Sequence, residues 1–265
     1  MLVVGLLLAG WLTRRRLAAM GEDASHADLA LPLALLVGAL GTKLLSVLFF
    51  DRLLLFVLPL FAVPALIAYC RVAGLSSARL FDCLAPPMLL WVASLRVGCF
   101  LAGCCWGDVV VGHSAIADAV RVQIDTFPSF ARMLDFIAVQ FPAGSFAAQQ
   151  HASLGLIDGG SSLPVLPTQL IESTAAVLLY VGALRVERSL RTPGLLAWWC
   201  LGSYAIVRFM MEFLRADNPI AWKGVTGNQL VCLGLIGAAL VMMHVSARGG
   251  GQRRAPALVT PAWRE

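Results

Sequence analysis

The chain has 265 residues, 59% of them hydrophobic and 13% charged, with a formal net charge of +5 and a mean hydropathy of +0.82. A soluble domain carries about 25% charged residues, so this composition excludes a water-soluble globular protein and leads us to expect an all-α, polytopic integral membrane protein. The arginines behind the basic balance flank apolar segments in small groups, which fits anionic lipid head groups and argues against nucleic acid as a partner.

Apolar runs at 30–50, 53–70, 84–102, 168–184, 194–213 and 227–246 each approach the roughly 20 residues a helix needs to cross the hydrocarbon core. Leu2 to Leu12 is short enough for an interfacial segment or a signal-like stretch, but its charges follow the run and no small-residue cleavage site is evident, so it is counted as a span and brings the total to about seven. The chain then divides into helices one to four (1–108), a small outer subdomain or arm (109–166), helices five to seven (167–246) and a basic tail (247–265). With the N-terminus outside, twelve arginines fall in inner loops against five cationic residues outside, which sets the orientation.

In chain order, the loop from Arg14 to Asp28 places an arginine triplet at the inner surface. The second span carries Gly38, Gly41 and then Lys43, an ammonium that must snorkel or find a partner. A tight turn at Asp51-Arg52 makes the second and third spans an antiparallel hairpin, and the third is scaffold. Asp82 and Pro86-Pro87 open the fourth span, in the first turn, where proline is tolerated.

The fourth span runs into RVGCFLAGCCWG, Arg96 to Gly107. An arginine at membrane depth costs about 2.5–3.5 kcal/mol unless it meets a carboxylate, a phosphate or water. Read as one helix, the stretch puts Arg96, Cys99, Phe100, Gly103 and Gly107 on one side, with Gly103 and Gly107 at the spacing that admits another backbone, and forms the floor of a polar pocket. Asp158 to Ser162 is a loop. Span five opens with LPTQLIES, where Thr168, Gln169 and Glu172 share one side. Span six ends with YAIVRFMMEFLRADNP, a stripe of Tyr204, Arg208, Glu212 and Arg215. The last span is plain apart from Gln229.

Lys43, Arg96, Glu172, Arg208 and Glu212 thus fall in the outer halves of four helices. Three cations against two carboxylates leave a positive surplus, suited to a phosphate-bearing lipid gripped by guanidinium forks. The alternative is a pair of structural ion pairs, Arg96–Glu172 and Arg208–Glu212. Cys99, Cys104 and Cys105 admit a disulfide, a metal or a low-pKa nucleophile. On a continuous helix, however, Cys99 and Cys104 are more than a turn apart and no histidine stands at metal spacing, so packing is favoured and no metal site is expected. Cys70, Cys83, Cys200 and Cys232 read as core.

The three blocks RVGCFLAGCCWG, PTQLIES and YAIVRFMMEFLRADNP, in this order and spacing, resemble the prolipoprotein diacylglyceryl transferase family, in particular its cysteine-containing branch. The resemblance implies an enzyme of the bacterial inner membrane that needs no cofactor. It would move a diacylglyceryl group from phosphatidylglycerol, or a related anionic phospholipid, to the lipobox cysteine beside the signal peptide of a lipoprotein precursor. The outer arm would then be periplasmic. By the same resemblance Arg96 and Arg208 hold the phosphoglycerol head group, and Glu172 and Glu212 order them. Arg96, Arg208 and Glu212 are the catalytic candidates, and Lys43, Cys99, Gly103, Cys104, Gly107, Gln169, Glu172, Tyr204 and Arg215 are the substrate-binding candidates.

The chain also departs from the family pattern. The family's histidine-glycine-glycine motif between the second and third spans is missing. Cys99 and Cys104 stand where asparagine and glutamate are usual, Leu166 where histidine is common and Ile171 where tyrosine is usual. The base that deprotonates the acceptor thiol is therefore unassigned, with His113 and His151 as loop candidates. A lipid-binding relative without catalysis is the alternative, and a thiol redox protein a third class.

Overall fold

The computed structural model describes residues 1–49, 58–107, 109, 135–190, 192–215, 220–222 and 225–249. Eight α-helices are found among them: α1 (Leu2–Ala19), α2 (Ser25–Phe49), α3 (Leu58–Ala73), α4 (Ser77–Ala102), the short α5 (Phe146–Ser153), α6 (Thr168–Val186), α7 (Leu195–Met211) and α8 (Gly227–Gly249). Four are long and apolar enough to cross a membrane: α2 over Ser25–Leu45, α4, α6, and α8 over Gly227–Ser246. A helix suits such a setting because every backbone polar group is satisfied within the segment. Two short strands, β1 (Ile220–Trp222) and β2 (Val225–Thr226), pair antiparallel before α8.

Several boundaries differ from the sequence reading. α1 does not stop at Leu12 but carries the arginine triplet to Ala19. α4 starts at Ser77, so Pro86 and Pro87 lie in its interior and not in its first turn. The Asp51-Arg52 turn, residues 110–134 of the outer arm and residues 250–265 of the basic tail lie outside the described residues.

The chain divides into two compact units. One holds Leu6–Met88, Ala183–Trp199 and Met242–Glu265. In it α2 packs against α3 around glycines: a Cβ at Gly38 would lie 2.8 Å from Leu58 Cγ, and one at Gly41 would collide with the Phe61 ring. Leu17, Ala30, Leu31, Leu66, Cys70 and Leu80 form its core. Arg16 is not a surface arginine. It is buried, ion-paired to Glu187 at 2.5 Å, and its Nη2 donates to the Asp82 carbonyl at 3.2 Å. That carbonyl sits four residues before Pro86, which has no N–H to give it. Asp82 in turn accepts the N–H groups of Gly194 and Ala197 at 2.6 and 2.8 Å, capping the start of α7 from another helix.

The other unit holds Met1–Gly5, Leu89–Gly182 and Cys200–Val241. Its core is Trp106, Phe141, Ala147 and Val165, with Val165 bridged to both Val109 and Val139. Ser173 on α6 donates to the Ala93 carbonyl of α4 at 3.0 Å. A glycine at position 5 lets α1 lie close to α4, since a Cβ there would be 2.6 Å from Ser94 Cβ. All the polar residues described next belong to this second unit, except Lys43.

Candidate functional site

The motif RVGCFLAGCCWG is not one helix. α4 ends at Ala102, and Gly103 takes a left-handed φ of 67°, as glycine does most readily. The Gly103 N–H donates to the Phe100 carbonyl at 3.0 Å and the Cys104 N–H to the Cys99 carbonyl at 3.1 Å. This pair of bonds is the Schellman ending of a helix, and it folds the next residues back over the last turn. The side chains of Cys99, Cys104 and Cys105 are thereby brought together, all three sulfurs within 4.8 Å of one another. The expected scatter of these cysteines along a helix is therefore corrected: the reversal at Gly103 cancels the spacing.

The start of α6 holds the reversed segment. Gln169 Nε2 donates to the Cys104 carbonyl at 2.7 Å and Thr168 Oγ1 to the Cys105 carbonyl at 3.0 Å. Cys105 itself has φ 60°, a left-handed conformation uncommon outside glycine. Gln169 is buried, and its Oε1 has no hydrogen-bond partner among the described residues. Both glycines of the motif permit close approach, though not along a common helix face. A Cβ at Gly103 would meet Ser145 Cβ at 2.8 Å, and one at Gly107 would meet Thr168 Cγ2 at 2.5 Å and the Leu214 carbonyl at 2.6 Å.

One turn into α6, Glu172 is buried and forms an ion pair with Arg96 on α4, Oε2 to Nε at 2.9 Å. Its other oxygen accepts the Tyr204 hydroxyl of α7 at 2.7 Å. Arg208, one turn beyond Tyr204, pairs through Nη1 with Glu212 Oε2 at 2.9 Å. Glu212 opens a 3-10 turn (Glu212–Leu214) after α7 has ended, and its side chain is fully buried. Its Oε1 accepts Thr226 Oγ1 at 2.7 Å and Asn228 Nδ2 at 3.1 Å. Tyr204 and Arg208 stand one turn apart on α7, so the helix carries a group bonded to the first pair and a member of the second. Each guanidinium is largely buried, at 15% and 16% exposure, and stands in ion-pair contact with its carboxylate.

Arg96, Glu172, Tyr204, Arg208, Glu212, Gln169, Cys99, Cys104, Gly103 and Gly107 thus belong to one unit. Arg215 follows the 3-10 turn in extended conformation, in electrostatic range of Arg96 and Cys105. Lys43 lies elsewhere in the chain's division. It is exposed on α2, in the first unit, whereas the pairs above belong to the second.

Thr226 and Asn228 escaped the sequence reading. Thr226 and Gln229 form a reciprocal capping box at the start of α8, Thr226 N–H to Gln229 Oε1 at 2.9 Å and Gln229 N–H to Thr226 Oγ1 at 3.3 Å. The threonine–glutamine spacing before an apolar run is the signal that would have found them. Of the two histidine candidates, His113 lies outside the described residues. His151 is buried against Trp106, and its Nδ1 accepts the Leu163 N–H at 3.1 Å. That nitrogen is the neutral ring's acceptor, so His151 cannot take up a proton there without losing the bond. The structure gives it a packing role.

Fold and site together define a helical protein of membrane type with two arginine–glutamate pairs in a single unit. A family model for prolipoprotein diacylglyceryl transferase matches residues 1–245. The chain belongs to the prolipoprotein diacylglyceryl transferase family. It is similar to the phosphatidylglycerol–prolipoprotein diacylglyceryl transferase of Dehalococcoides mccartyi, 28% identical over 172 residues, 65% of this chain and 53% of the relative. It is also similar to the enzyme of that name from Hydrogenovibrio crunogenus, 29% identical over 148 residues, 47% of this chain and 54% of the relative. The matches span about half the length of these two relatives.

Proposed function

We propose that the protein is a phospholipid-dependent transferase that moves a diacylglyceryl group from phosphatidylglycerol to the cysteine thiol of a lipoprotein precursor. It works at the outer leaflet of the bacterial inner membrane, which it crosses about seven times, with α1 to α4 and α6 to α8 as the spans and 109–166 as a periplasmic arm. The observation that carries the reading is that the two ion pairs Arg96–Glu172 and Arg208–Glu212 belong to one compact unit. Arg96 and Arg208 bind the phosphate, because a glycerophosphate leaving group needs fixed positive charge where negative charge develops. Glu172 and Glu212 hold the two guanidinium planes, and Tyr204, Thr226 and Asn228 hold the carboxylates. Gln169 Oε1, buried and unpartnered among the described residues, is an acceptor for a glycerol hydroxyl of the head group.

The engagement of His151 favours a second reading, a lipid-binding relative that kept the anion pocket and lost the base. Purified protein, phosphatidylglycerol vesicles and a lipobox peptide separate the two. Thioether product that disappears in Arg208→Ala supports the transferase. Vesicle binding without product under any condition supports the second reading.

A further inference from the structure

The three thiols are more than apolar filler. Cys70, Cys83, Cys200 and Cys232 are buried as packing cysteines are, at 0, 0, 3 and 5% exposure. Cys99, Cys104 and Cys105 are only part-buried and turn toward one another, and each is a free thiol. Their convergence is built from three independent supports: the glycine reversal after Ala102, the left-handed backbone of Cys105, and the Gln169 and Thr168 side chains on the two carbonyls. Tetrahedral zinc bonds to sulfur at about 2.3 Å, which sets thiolate sulfurs about 3.8 Å apart. The observed limit of 4.8 Å admits that spacing with small side-chain rotations. Among the described residues no histidine, aspartate or glutamate completes a four-ligand set. Three protein ligands with one position open is the pattern of zinc sites that act on a bound group, whereas structural sites are closed. Three thiolates around a divalent ion carry one net negative charge, and Arg96 and Arg215 lie in electrostatic range of Cys105 to offset it.

We infer that Cys99, Cys104 and Cys105 form a three-thiolate site for a zinc(II)-type ion whose fourth position receives the acceptor thiol. The metal site rests on geometry alone; the acceptor's part in it rests on the transferase reading above. An acceptor thiol that binds the ion gives its proton to water, since a metal-bound thiol is deprotonated outright. Its sulfur then attacks the glyceryl carbon that bears the phosphate ester. The carbon–oxygen bond breaks, its electron pair leaves with the glycerophosphate, and the carbon–sulfur bond forms with no oxidant or reductant. The thioether product, a weaker ligand than a thiolate, leaves the ion. In this way the chain makes its nucleophile without the family's histidine motif. Attack by Cys105 itself is a poorer route, because it would place the lipid in a thioether that offers no good leaving group.

The test uses the full chain purified in detergent with a non-thiol reductant, titrated with cobalt(II) alone and then zinc(II) alone. Cobalt is expected to give thiolate charge-transfer absorption at close to one ion per chain, displaced by zinc. Affinity should fall about tenfold or more in Cys104→Ser and Cys105→Ser and hold in Cys232→Ala. No such absorption, equal binding in the two serine variants, or a disulfide among the three in native membranes overturns the site. Should the serine variants fail to fold, alkylation of the wild type decides: zinc must protect these three cysteines, and equal labelling with and without zinc refutes the proposal. Transfer to a lipobox peptide is then measured before and after chelation. Metal binding without transfer removes the transferase reading and leaves the site standing. Transfer undiminished by chelation removes the metal and leaves that reading standing.

Discussion

Arg96 shows how a single side chain is held for a ligand. Its Nε faces Glu172, and Glu172 is fixed from the other side by Tyr204. Lysine in its place keeps the charge but loses the planar fork. Arg96→Lys should therefore lower the phosphatidylglycerol-dependent rate about a hundredfold, roughly 3 kcal/mol, measured by product formation on vesicles. Tyr204→Phe removes one hydrogen bond and should lower stability by about 1–2 kcal/mol, seen as a reduced melting temperature in detergent. His151 yields a pH prediction. Burial holds its ring below the ordinary value of 6.5, so it is neutral when folded. The unfolded chain binds the proton more readily, and stability is full above about 6.5 and lost as pH falls through the folded value. Thermal melts from neutral to acid pH should show this slope in the wild type and a shallower one in His151→Asn. Arg96, Glu172, Tyr204, Arg208 and Glu212 were legible in the sequence because charge within an apolar run has few innocent explanations. Lys43 is a charge in such a run as well, and it lies exposed on α2.

At the level of the element, the ends of helices hold the information. The apolar runs located α2, α3, α4, α6, α7 and α8, because length and hydropathy dominate in such segments. They did not locate the end of α4. Spacing alone makes Gly103 a small residue on a helix face, whereas its left-handed backbone ends the helix, and the meeting of the three thiols follows from that ending. Nor did they mark the start of α8, where the capping box of Thr226 and Gln229 is tied to Glu212. Thr226→Val removes the cap and the bond to Glu212 together. It should cost about 2 kcal/mol and lower transfer as well, which a melt and a rate measurement on the same preparation would register. Gly107→Ala sets a methyl 2.6 Å from the Leu214 carbonyl, a backbone atom that cannot swing aside. A loss of about 1–3 kcal/mol is expected, and Gly227→Ala, with nothing within 4 Å of its Cβ, is the control.

Over the whole molecule, each unit has its own buried ionic core. In the first, Arg16 serves both Glu187 and the carbonyl freed by Pro86, and Asp82 caps α7. Removing one partner leaves the other charged and buried, so Glu187→Ala should cost about 3–5 kcal/mol and depress the yield of folded protein in membranes. The sequence reading set Arg16 at a loop surface, since three arginines in a row resemble a topology signal; the continuation of α1 to Ala19 is what carries the third of them inward. The division of the seven cysteines into four sealed and three accessible also furnishes a reporter native to the chain. A membrane-impermeant maleimide applied with a chelator to intact spheroplasts is expected to react at the Cys99–Cys104–Cys105 cluster, since the other four cysteines are buried. Mass increments there, and none when the reagent is enclosed on the cytoplasmic side of sealed vesicles, would fix which way the protein faces without the introduction of a single engineered tag.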